Sequence, residues 1–74
     1  MWFLCQRRDA MPRAQWTVDR NTHLSWMKAQ HRAGSIVMSG PAPGHGMSMY
    51  LIRAQSREAA EAIAASDPFT AAGQ

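Results

Sequence analysis

At 74 residues the chain makes one domain at most, and so short a chain buries only about 60% of its unfolded surface, leaving a marginal core that a partner chain is expected to support. Its 46% hydrophobic and 18% charged residues are those of a folded domain, not a disordered one, and no apolar stretch approaches the ~20 residues that span a bilayer. The formal charge of +3 comes from basic residues scattered over several segments, with no run of four and no interleaved aromatics, which argues against nucleic-acid binding.

Trp2, Phe3, Leu4 and Cys5 read as a buried strand, cut off by Gln6-Arg7-Arg8 and broken by Asp9-Ala10-Met11-Pro12. A signal peptide places its charges before the apolar run; here they follow it, so the expectation is a mature, soluble start. The single Cys5 has no internal partner, which fits a reducing cytoplasm, and its strand setting fits a core residue better than a nucleophile. Residues 9–15 carry Pro12 without periodicity and are expected as an irregular connection over a pocket, anchored by Trp16.

A helix is predicted over residues 18–32, with Thr17 or Asp19 as N-cap, Lys28, His31 and Arg32 near its end and Gly34 beyond it. At ~100° per residue, Arg20, His23, Leu24, Met27, Gln30 and His31 fall within one third of its circumference. His23 therefore stands where a core residue belongs, and an inward imidazole needs a partner. Trp26 lies off that stripe and is expected at a partner surface.

Ser35 to Ser39 is a β-branched run predicted to stop at Gly40-Pro41, since proline lacks the ladder donor. The Pro41-Ala42-Pro43-Gly44-His45-Gly46 stretch is a turn by composition, with His45 at its rim; it lacks the lysine and serine of a phosphate loop. Residues 47–54 form a third strand, antiparallel to the second, in which Met47, Met49 and Leu51 alternate with Ser48, Tyr50 and Ile52. The six methionines are expected as core filler.

Ser56 caps a second helix that runs to about residue 65, with Ala59, Ala62 and Ile63 towards the sheet. Asp67-Pro68-Phe69 ends it, because the residue before proline is pushed out of the helical region, and one short turn of helix follows. The order strand, helix, strand, strand, helix predicts an α+β fold: a ferredoxin-like split βαβ plait without its last strand.

The short apolar first strand, Arg20-Asn21-Thr22-His23-Leu24-Ser25-Trp26-Met27, Met38-Ser39-Gly40-Pro41, Glu58-Ala59-Ala60-Glu61-Ala62 and Asp67-Pro68-Phe69 occur here in an order and spacing that resembles the YciI-like (YCII-related) proteins over nearly the whole chain, residues 1–74. The resemblance implies a plait that pairs into a dimeric α+β barrel, with a pocket between sheet and helices. It also implies a His-Asp pair as the active site, carried here by His23 and Asp67. Arg20 and the Ser39-Gly40-Pro41 turn match the positions that flank the pocket. Because the family continues past Asp67-Pro68-Phe69 with a final strand, one is expected beyond Gln74. One branch removes chloride from a chlorinated hydroxyquinol, so dehydrohalogenation becomes a concrete expectation.

Each element also has a plainer reading. His23 is either a general base or acid held in one tautomer by Asp67, or a half-buried histidine bonded to a backbone carbonyl. Aspartate before proline is also an ordinary turn former. His23, His31, His45 and Cys5 show no close metal-ligand spacing. The expectation is a cytoplasmic homodimer acting on a small aromatic or enolisable compound without metal or cofactor. The alternative is a non-catalytic ligand-binding or dimerisation module.

Overall fold

A computed structural model describes residues 1–42 and 46–74. The expected rim position of His45 lies outside the described residues.

Three strands, β1 (Trp2–Arg8), β2 (Ile36–Ala42) and β3 (Met47–Arg53), form an antiparallel sheet in the order β1-β3-β2. Three α-helices, α1 (Arg20–Ala33), α2 (Arg57–Ala65) and the single turn α3 (Pro68–Ala71), and one 3-10 turn over Arg13–Gln15, in the connection expected to be irregular, complete the described fold. It is a ferredoxin-like plait without its final strand. Among the described residues, no helix is long and apolar enough to cross a membrane.

Period-2 alternation divides the sheet into two faces. Phe3 and Cys5 of β1, Ile36 of β2, and Tyr50 and Ile52 of β3 pack with Trp26 and Met27 of α1 and Ala60, Ile63 and Ala64 of α2. The opposite face carries Trp2, Leu4, Met38 and Met49, with no helix over it among the described residues. The first strand is therefore buried on one side only, and Met38, 67% exposed, is not core filler.

A register shift in β2 explains where Met38 goes. Ile36 pairs with Ile52, but Met38 pairs with Leu51 and Ser39 with Tyr50, so Val37 is the extra residue of a bulge. Parity reverses after it: Met38 turns to the open face, while Ser39 and Pro41 turn towards the helices. Contrary to expectation, the strand does not stop at Gly40-Pro41. As an edge strand, β2 has a row of N–H groups with no ladder partner, and a proline there removes nothing.

Helix α1 starts at Arg20, capped by Asp19, whose Oδ1 accepts from Thr22 N at 2.7 Å; Gly34 closes it in the left-handed region at φ 79°. The start is two residues later than about residue 18 because Asp19, the second of the two expected caps, is the one used, its backbone extended at φ −79°, ψ 163°; the amides of Thr17 and Val18 lie outside the helix and donate to Gln74 Oε1 at 3.3 and 3.1 Å. Trp26, expected at a partner surface, packs on the core. Its indole N–H donates to Ser66 Oγ at 2.9 Å, so the inward stripe is His23, Trp26, Met27 and Gln30. The inner face of α2 is likewise displaced: Ala60, Ile63 and Ala64 face the sheet, and Ala62 is exposed.

Candidate active site

Pro68 sets the geometry of the site. It occupies the first position of α3, where its missing N–H costs nothing, and holds Asp67 extended at φ −55°, ψ 124°. Asp67 then caps the turn by accepting from Phe69 N at Oδ1, 2.9 Å away. The turn-former reading of this aspartate is thus correct, and it leaves most of the carboxylate's bonding capacity free.

That capacity is filled from three other elements. His23 Nδ1 lies 3.0 Å from Asp67 Oδ1, across 44 positions of chain, and the Tyr50 hydroxyl donates to Oδ2 at 2.5 Å. The Arg7 guanidinium stands 3.6 Å from the same Oδ2. Asp67 is fully buried, and a buried carboxylate is tolerated only when paired and hydrogen-bonded in this way. Burial, reinforced by the bond to Asp67, pushes the Tyr50 phenol well above its ordinary pKa and keeps it a donor.

Arg7 is itself buried and held on every side. Its Nη1 donates to Asp9 Oδ1 at 3.0 Å, its Nε donates to Thr70 Oγ1 at 3.1 Å, and its guanidinium lies over the rings of Trp16 and Phe69. Trp16 anchors the connection as expected, tilted on Phe69 with centroids 4.4 Å apart and its N–H on Met11 O. Phe69 in turn stacks on His23 at 4.5 Å and 10°.

With Nδ1 donating to Asp67, the neutral imidazole presents Nε2 as its basic nitrogen. His23 lines a cavity of about 580 Å³ between sheet, α1 and the β1–α1 connection. Arg20, Ser39, Gly40 and Pro41 all line it too, whereas Asp67 sits behind His23 and not on the wall. The bulge in β2 is what brings Ser39 and Pro41 to this side.

Tyr50, Phe69 and Arg13 also line the cavity without having been singled out from the sequence as site residues, and Arg7 supports it from behind. A signal for Arg7 existed: it shares strand parity with Phe3 and Cys5, and a charge on an inner face implies a buried counter-charge. Cys5 is half-buried beside the core, its thiol pushed up chiefly by burial and then by the charge of Asp67. Among the described residues, no three His, Cys, Asp or Glu side chains converge as metal ligands.

The fold and site together define a small α+β plait with a histidine on the wall of an open cavity and a buried carboxylate behind it. A family model, the YCII-related domain, matches residues 1–74, and the chain belongs to that family. No curated protein and no solved structure matches it.

Proposed function

We propose that this YCII-related protein is an acid/base enzyme acting on a small aromatic or enolisable compound, with His23 as the proton-transferring group and Asp67 as its orienting partner. The observation that carries this reading is the 3.0 Å contact between His23 Nδ1 and a fully buried carboxylate, which leaves Nε2 for the cavity. A histidine bonded only to a backbone carbonyl would have its tautomer fixed but would gain no counter-charge for the imidazolium. Asp67 supplies both.

The finer reading is dehydrohalogenation. With the substrate in its keto tautomer, in which one hydroxyl proton has moved to the halogen-bearing ring carbon, His23 Nε2 takes a second hydroxyl proton, the freed O–H pair moves through the conjugated ring, and halide leaves that carbon with the carbon–halogen pair to give a quinone. The net loss is one proton and one halide. Arg20, at the lip of the same cavity, stabilises the negative charge that develops on the ring oxygen, and no metal or cofactor is required.

Purified protein supplied with a chlorinated hydroxyquinol should release chloride, and His23→Ala should lower kcat by about 10²–10⁴-fold, the usual contribution of a positioned acid/base. Undiminished turnover in that variant would remove His23 from the mechanism. Saturable binding without release of chloride would favour a ligand-binding module.

A further inference from the structure

The charges that face the cavity are one-sided. Among the described residues, two guanidiniums, Arg13 and Arg20, stand on its wall and no carboxylate does. Asp67 is sealed behind His23, with Arg7 already beside it. Arg13 is matched, because its Nε donates to Asp9 Oδ2 at 3.1 Å while its guanidinium rests over Trp16. Arg20 makes no ion pair and no side-chain hydrogen bond among the described residues. The uncompensated charge on this surface is therefore that of Arg20. The rest of the wall offers aromatic and apolar faces from Trp16, Tyr50, Phe69, Leu24 and Met27.

From this we infer that the cavity selects a single-ring organic anion, its negative oxygen at Arg20 and its ring against the aromatic wall. The inference rests on the acid/base reading of the same site and adds the substrate's charge to it. Geometry supports the pairing of the two functions. Arg20 and His23 are three residues apart on α1, and such neighbours have Cβ atoms about 5–6 Å apart. One small ring spans that gap, so an anion seated at Arg20 brings a neighbouring ring position to Nε2. A cavity of about 580 Å³ accommodates such a molecule with room for water or substituents.

Benzoate, benzamide and cyclohexanecarboxylate separate charge from ring character, and their binding to the full chain can be read by calorimetry and by tryptophan fluorescence, Trp16 being on the cavity wall. Benzoate should bind with a Kd on the order of 1 mM, ordinary for so few atoms. Benzamide and cyclohexanecarboxylate should each bind several-fold more weakly. Arg20→Gln, at an exposed and unpaired position that the fold does not need, should weaken benzoate roughly five- to tenfold while leaving benzamide unchanged. Equal affinity for benzoate and benzamide, or an unaltered benzoate Kd in Arg20→Gln, overturns the anion site. His23→Ala separates the two proposals: it should lower turnover by about 10²–10⁴-fold yet keep the preference for benzoate over benzamide. If benzoate is preferred while no substrate is turned over, the anion site stands and the acid/base reading falls.

Discussion

Asp67 meets two sets of demands with one carboxylate. Oδ1 caps the last turn of helix through Phe69 N and also meets His23, and Oδ2 takes the Tyr50 hydroxyl with Arg7 nearby. Asp67→Asn keeps an oxygen for the cap but removes the counter-charge of the imidazolium. The expected outcome is a folded protein, by circular dichroism, whose turnover falls by about two to four orders of magnitude. Tyr50→Phe deletes a buried donor and leaves Oδ2 facing Arg7 alone. It should cost about 1–3 kcal/mol in urea unfolding, because the carboxylate loses a partner that water cannot replace. Cys5 tests the electrostatics separately. With its thiol pushed up by burial and by Asp67, it should react with iodoacetamide at neutral pH far more slowly than a free cysteine, and at the ordinary rate once the chain is unfolded.

At the scale of elements, α1 offers a pH test with a definite sign. Hydrogen bonds from the Thr22 amide and hydroxyl hold the Asp19 carboxyl below its ordinary value. A pKa lowered by folding gives stabilisation that is present above the unfolded value, close to pH 4, and is lost as pH falls through the folded one. Asp19→Ala should therefore lower the thermal midpoint at neutral pH, and the difference from wild type should shrink below about pH 4. The elements also show what local sequence can and cannot carry. Asp19, Gly34, Ser56 and Pro68 act on their immediate neighbours, and the helix ends near them were legible for that reason. The passage of β2 through Gly40-Pro41 was not, since proline is tolerated there only because β2 lies at the sheet's edge, and strand order is a long-range property. The same holds within the site. The resemblance named His23 with Asp67 and set Arg20, Ser39, Gly40 and Pro41 beside them; in the structure His23 meets Asp67 and the other four line the same cavity. The inward parity of Arg7 was legible in β1, but that it and Tyr50 converge on Asp67 depends on pairings across the sheet that no spacing along the chain encodes.

Over the whole molecule, the sheet is a single layer with the cavity on one side and an apolar face on the other. Trp2, Leu4, Met38 and Met49 lie exposed there side by side, and contiguous apolar surface of this kind marks interaction sites. The expected assembly is a homodimer, which sedimentation should show as two chains over a wide concentration range. Leu4→Glu combined with Met38→Lys should shift it towards monomer, and an unchanged sedimentation coefficient would place the contact elsewhere. The central strand β3 borders both environments, since Ser48, Tyr50 and Ile52 alternate with Met47, Met49 and Leu51. Its two surfaces are thus interleaved in a single reading frame of side chains. A substitution alters one surface and spares the other, whereas loss or gain of one residue shifts the frame and exchanges both. Deleting Met49 should accordingly abolish folding where Met49→Ala is tolerated, so this strand accepts changes of residue but not changes of length.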